Sequence, residues 1–189
     1  LIDIQVDISP GQPGVTVVGR ADAALREGQE RMRMAIVNSG LTWPTTRRTT
    51  VLLSPADLPK SGTHFDLAMA IALLAADDQV HVAEIVRTVF VGELTLSGGI
   101  RPAFGVLPMT LAAKERGVRR VFVPEPQLRE AQMVPDVDVL GVRSLDQVVA
   151  ILRGQQPPQA APVAEASGTS LLAWRGEERL DELDLADLN

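Results

Sequence analysis

Lys60-Ser61-Gly62-Thr63-His64-Phe65-Asp66 is the run of this chain in which side chains able to do chemistry crowd together. A serine or threonine hydroxyl becomes a nucleophile only with an activating base within hydrogen-bond reach. Lys60 and Ser61 are adjacent, and neighbouring side chains of an extended loop point apart. They do not make a dyad by themselves. His64 stands where a helix begins and reads as a surface or cap residue rather than a base. Thr63 and Asp66 have the spacing of a capping box, with Asp where Glu or Gln is usual. Gly62 lets the backbone turn tightly before the cap. Unpaired N–H groups at such a helix start also suit an anion, but a cap beside a buried helix is the simpler reading.

Other chemistry is sparse. His64 and His81 are the two histidines, seventeen positions apart, with no carboxylate pair at ligand spacing. No metal site and no catalytic residue are expected. The chain has no cysteine, which excludes disulfides and thiolate metal sites and points to a reducing, cytoplasmic setting. The phosphate-cradling loop Gly-x-x-x-x-Gly-Lys-Ser/Thr is absent, and Gly98-Gly99 has the spacing of no nucleotide fingerprint. No cofactor is therefore expected in these residues. Arg47, Arg48, Lys60, Arg119 and Arg120 are candidates for nucleic-acid phosphate contacts. For Arg47-Arg48 a solvated strand entrance is the competing reading. The formal charge is −6, but residues 155–189 hold seven acids and two bases, leaving 17 acids and 16 bases elsewhere. A nearly neutral body neither announces nor forbids a local basic patch.

The elements that must position these residues follow from periodicity. Leu1 to Ile8 alternates apolar and polar, a half-buried strand. Ser9 to Gly14 is turn chemistry, so Val15 to Val18 is expected to return as the second strand of a hairpin. Residues 20–39 read as an amphipathic helix. Ala21, Leu25, Gly28, Met32 and Ala35 lie on its apolar face, with Arg26, Glu27, Glu30, Arg31 and Arg33 on its solvated face. Arg47 to Ser54 is a strand whose Val51-Leu52-Leu53 is apolar on both faces, which suggests a central position. From Phe65 to Ala76 the only polar side chain is Asp66. A helix apolar all round belongs in a core, and about twelve residues are too few to span a bilayer, so no membrane partner is expected.

Thr88 to Val91 is a further strand, and Glu93 to Ile100 a hairpin around Ser97-Gly98-Gly99. Helix and strand then alternate. Helices are expected at Phe104 to Arg116, Pro124 to Met133 and Leu145 to Leu152, and strands at Val118 to Val123 and Val137 to Val142. Ser144 and Gln147 have capping-box spacing for the last helix. Gly154 begins a Pro/Ala/Gln-rich linker expected to be disordered, followed by an acidic tail. Residues 1–154 are thus expected to form one α+β domain, a two-layer sandwich of helices on a mixed sheet. The apolar share of 46% supports a sizeable core. The chain opens inside a strand pattern, which suggests a fragment.

Several short motifs, in order, resemble one family. They are Val6-Asp7-Ile8-Ser9-Pro10-Gly11, Val18-Gly19-Arg20-Ala21-Asp22-Ala23-Ala24, Ser54-Pro55-Ala56-Asp57-Leu58, the Lys60–Leu67 loop and Val91-Gly92-Glu93-Leu94-Thr95-Leu96-Ser97-Gly98, then Ile100-Arg101-Pro102, Gly105-Val106-Leu107-Pro108 and Val139-Leu140-Gly141-Val142. Together they resemble the N-terminal domain of the ComM/YifB family of magnesium-chelatase-like AAA+ ATPases. The likeness runs over roughly residues 1 to 154. The family motif loop is carried by Lys60, Gly62, Phe65 and Asp66.

The resemblance implies a ribosomal-S5-domain-2-like fold shared with the Lon peptidase domain. It also implies a hexameric DNA motor of branch-migration helicase type, whose ATP and magnesium belong to an AAA+ module absent from this chain. Asp184 to Asn189 looks like the lead-in to that module. Lon-type peptidases carry Lys-Asp-Gly-Pro-Ser-Ala-Gly at the Lys60–Asp66 loop, which places His64 at the nucleophile position. They carry Pro-x-Gly-Gly-x-Lys at Pro102–Leu107, which places Leu107 at the base position. The expected role is therefore a non-catalytic accessory domain for assembly or substrate contact. The alternatives are a nucleic-acid-contacting domain and a Ser–Lys peptidase.

Overall fold

The computed structural model describes residues 1–163. The Leu171–Asn189 tail, and the linker beyond Val163, lie outside the described residues. The fold is a mixed α/β arrangement of two layers, helices packed on sheet. Strands β1 (Asp3–Ser9), β2 (Gly14–Val18) and β3 (Arg48–Ser54) form the first sheet. Its order is β1-β3-β2, with β1 antiparallel and β2 parallel to β3.

The expected β1–β2 hairpin is therefore wrong. The turn residues at Ser9–Gly14 do reverse the chain, but β3 inserts between the two strands. Val51 and Leu53 of β3 are buried, and a strand with apolar residues on both faces wins the central place because it gains most from being covered twice. The local turn signal said nothing about which strand would fill the gap.

Helix α1 (Ala23–Asn38) starts at Asp22, whose side chain accepts the Leu25 N–H at 2.8 Å. Helix α2 (Asp66–Ala76) is buried along nearly its whole length and lies in the middle of the main core. Around it pack Leu25, Met32 and Ile36 of α1, Val51 and Leu53 of β3, and Leu145, Val148 and Val149 of the last helix. A short helix α3 (Val82–Ile85) leads to the second sheet.

That sheet is parallel throughout, in the order β4-β7-β8: β4 (Thr88–Phe90), β7 (Arg120–Pro124) and β8 (Asp138–Val142). Parallel neighbours need long crossovers. The first carries the small hairpin β5 (Glu93–Leu94) and β6 (Ile100–Arg101) and then α4 (Val106–Glu115). The second carries α5 (Leu128–Ala131), preceded by one turn of tighter helix. Helix α6 (Leu145–Leu152) follows β8. A second apolar cluster, with Val106, Ala113, Val121, Val123 and Ala131, fills the space under α4 and α5.

The expected box at Ser144 is only half made. Gln147 Oε1 accepts the N–H of Arg143, not that of Ser144, and the Ser144 hydroxyl donates to Asp146 rather than capping the helix. Residues 155–163 hold no helix or strand, and Pro158 O and Ala160 O accept hydrogen bonds from Gln147 and Arg143.

Leu74 is fully buried in α2. Leu74→Ala should lower the free energy of unfolding by about 2–5 kcal/mol, read from urea denaturation with an unchanged slope. Leu111→Ala, on an exposed position, should move it by no more than about 0.5 kcal/mol.

Candidate functional site

In the Lys60–Asp66 loop the side chains of Lys60, Thr63 and Asp66 are hydrogen-bonded to the surrounding scaffold. Lys60 pairs with Ala21 as an isolated bridge: its N–H donates to Arg20 O at 2.8 Å, and its carbonyl accepts the Asp22 N–H at 3.1 Å. Lys60 is 3% exposed, and its ammonium donates to the carbonyl of Pro55. Gly62 has φ +100°, a conformation that L side chains resist. Its N–H donates to the second carboxylate oxygen of Asp22 at 3.2 Å. One carboxylate thus caps α1 and ties the loop. The anion at this backbone turn is the protein's own.

The predicted Thr63–Asp66 box does not form, and no side chain caps α2. The Thr63 hydroxyl donates instead to Glu93 at 2.5 Å. Asp66 is fully buried and accepts two hydrogen bonds from Arg31, at 2.7 Å and 3.2 Å, and the Leu94 N–H at 3.3 Å. Arg31 also donates to Ala24 O at 3.0 Å. Burial pushes the Asp66 carboxyl above its ordinary value, against the opposing pull of Arg31 and the Leu94 N–H. The same hydrogen bonds hold Arg31 above its own. Arg31 is therefore misplaced by the helical pattern, which set it on the solvated face. The missed signal is Gly28, one turn earlier: without a side chain there, the guanidinium can fold back along α1 to reach Asp66.

His64 is half-buried, with its ring 4.1 Å from that of Phe65, and burial lowers its pKa. Its carbonyl accepts the Gly92 N–H at 3.2 Å, while Gly92 O accepts the Leu67 N–H at 3.2 Å. Ser61 is exposed. Leu107 lies in the first turn of α4, and its N–H donates to Glu130 at 3.1 Å. The chain has two lysines: Lys60 is buried as described, and Lys114 is paired with Asp136 at 3.1 Å. Among the described residues no group of three or more His, Asp or Glu is placed to hold a metal ion, and no helix is long and apolar enough to cross a membrane.

The five basic candidates do not share one sheet. Arg47 and Arg48 lie at the entrance of β3, where Arg47 is paired with Asp77 at 2.6 Å and Arg48 is exposed. Lys60 is buried. Arg119 and Arg120 lie at the start of β7, where Arg120 is paired with Asp138 at 3.1 Å and Arg119 is exposed.

A family model described as subunit ChlI of Mg-chelatase matches residues 4–127, a span that takes in both sheets' first strands, the loop and the Asp66–Arg31 pair. The chain belongs to this ChlI family. An uncharacterized protein of Mycobacterium tuberculosis is 42% identical over 182 residues, covering 90% of this chain and 36% of its own length. Competence protein ComM of Haemophilus influenzae is 37% identical over 186 residues, covering 98% of this chain and 36% of its own. Lon protease of Azorhizobium caulinodans is 26% identical over 170 residues, 83% of this chain and 20% of its own. This ChlI-family chain therefore spans about a third of the length of ComM and the mycobacterial protein.

Two outcomes check the geometry. A Cβ at Gly28 would stand 2.5 Å from the Asp66 carboxylate. Gly28→Ala, which in an exposed helix interior gains roughly 1 kcal/mol, should here destabilise the fold in thermal or urea unfolding. Because the pKa of His64 is lowered on folding, the unfolded chain binds the extra proton first. Its contribution to stability is complete above the unfolded value near 6.5 and is lost as pH falls below it. His64→Gln should flatten the decline in melting temperature on that acid side relative to the parent chain.

Proposed function

We propose that this chain is the non-catalytic N-terminal accessory domain of a magnesium-chelatase-like AAA+ ATPase of the ComM/YifB type, with a ribosomal-S5-domain-2-like, Lon-peptidase-like fold. It serves assembly or substrate contact beside the motor. The observation that carries the non-catalytic reading is the fate of the lysines. A Ser–Lys hydrolase needs an amine beside its hydroxyl. Lys60 is buried on a backbone carbonyl, Lys114 is ion-paired with Asp136, and a leucine stands at the base position of the Lon motif. The loop that resembles Lon's nucleophile loop is consumed in tying α1, α2 and the β5–β6 hairpin together.

In this reading ATP and magnesium are bound by the AAA+ module of the same protein, outside these residues. The whole protein works in the cytoplasm as a homo-hexameric DNA motor of branch-migration type. The domain comprises residues 1–154, and residues 155–189 link it to the motor. The nucleic-acid alternative is supported by the exposure of Arg48 and Arg119. It is weakened by the pairing of Arg47 and Arg120, by the burial of Lys60, and by an aromatic share of 3%, which leaves few platforms for stacking bases.

One preparation tests all three readings. Incubated with unfolded casein, the chain should release no peptides; cleavage that a Ser61→Ala change abolishes would overturn the reading. Titrated with a labelled duplex, it should bind weakly, with a log–log salt slope no steeper than about −2 for two phosphate contacts. Tight binding at physiological salt would favour the nucleic-acid domain instead.

A further inference from the structure

Strand β1 is an edge of the first three-stranded sheet and β4 an edge of the second, and residues of both line the same cleft. It measures about 630 Å³ and is lined by Ile4, Phe65, Ala68, Ala72, Val86 and Met109 among others. Val86 is 61% exposed. Such a volume lies in the range of pockets that bury a ligand, and an uncovered apolar surface with a polar rim marks an interaction site. The rim at one end is basic, while Asp3 is the carboxylate that lines the cleft on the β1 side. Arg87 lines the cleft, and its carbonyl accepts the Arg119 N–H at 3.1 Å. Arg116 closes α4 two residues before Val118, which also lines the cleft. Among the described residues no carboxylate is paired with Arg87, Arg116 or Arg119.

The chain carries one segment whose order matches this surface. Leu171-Leu172-Ala173-Trp174 is apolar, and the stretch Glu177 to Asp187 then holds six carboxylates and one arginine. An apolar cleft followed by a basic rim faces an apolar tetrapeptide followed by an acidic run. Seven residues lie between Val163 and Leu171, and the eight steps from one to the other can span up to about 29 Å when extended, roughly the diameter of a small domain. We propose that Leu171–Trp174 of the same chain docks in the cleft between β1 and β4, with the acidic run against Arg87, Arg116 and Arg119. The domain then carries its own occupant for the surface it would otherwise offer to a partner, and a partner must displace the tail to reach it. The charge match acts through water-exposed groups, so docking weakens as salt shortens the Debye length.

The test uses the full 189-residue chain. In a Trp43→Phe background Trp174 is the remaining tryptophan. Its emission should lie to the blue of that of the same chain unfolded in urea, and acrylamide should quench it less. Val86→Glu, an exposed position, should shift the emission to the red and raise quenching without changing the far-ultraviolet circular dichroism. The double change Arg87→Glu, Arg119→Glu should do the same more weakly, as should added salt. In the chain with both tryptophans, Leu172→Asp should open the cleft and increase the fluorescence of added anilinonaphthalene sulfonate. Trp174 emission that is already that of a solvated indole, or that ignores Val86→Glu, overturns the proposal. So does a blue shift that grows with protein concentration, which would put another copy's tail in the cleft. So does a rim that binds duplex DNA while Trp174 stays unchanged by the same rim substitutions.

Discussion

A buried carboxylate has to be answered, and in this fold Asp66 is the one that sets the terms. Removing a carboxylate from water costs several kcal/mol unless its oxygens are paired. Asp66 opens the most apolar helix of the chain, so it is carried inward with that helix and finds Arg31 and the Leu94 N–H there. Asp66 and those partners come from three separate stretches: α2, α1 and the β5–β6 hairpin. Their assembly fixes how deep α2 sits and how α1 turns over it. Such a pair need not stabilise the fold beyond what an apolar trio would, because its desolvation offsets much of the attraction. What it does is penalise every arrangement in which the three stretches fail to meet.

The loop before α2 obeys the same logic one step outward. Asp22 satisfies an N–H of α1 and the Gly62 N–H at once. Lys60 buries its ammonium against Pro55 O and its backbone between Arg20 and Asp22. The Thr63 hydroxyl donates a hydrogen bond to Glu93, and the loop's backbone is bonded to Gly92 on one side and Arg20 on the other. The family match spans this whole arrangement.

Splitting the strands into two sheets leaves an apolar cleft between β1 and β4. The first sheet is built from strands that enter before α2 and the second from strands that leave after it, and α2 fills the seam on one side. Nothing among the described residues fills the seam between β1 and β4 on the other. Edge strands are usually blunted by charge, by proline or by a cover, and here Asp3 of β1 and Arg87 before β4 are the charged residues that line the cleft.

The sequence by itself determined most of the elements. Periodicity located α1, α2, α4 and α6 and the strands of the second sheet to within a few residues, because side-chain spacing along one segment reports how that segment will be half-covered. It also determined that β3 is central, since Val51-Leu52-Leu53 can be covered on both sides. The order of motifs carried the family. What only the tertiary structure decided were the pairings between distant segments. The turn at Ser9–Gly14 looked like a hairpin because local chemistry cannot see a third strand. Thr63 and Asp66 looked like a cap because their spacing allows it, but Glu93 and Arg31 compete for the same groups and are invisible to a local pattern. Arg31 looked solvated because helical periodicity assigns faces to Cβ atoms, while a long guanidinium beside a glycine can reach around the helix. Burial of Lys60 and Asp66 is likewise a property of what surrounds them, and no residue type announces its own neighbours.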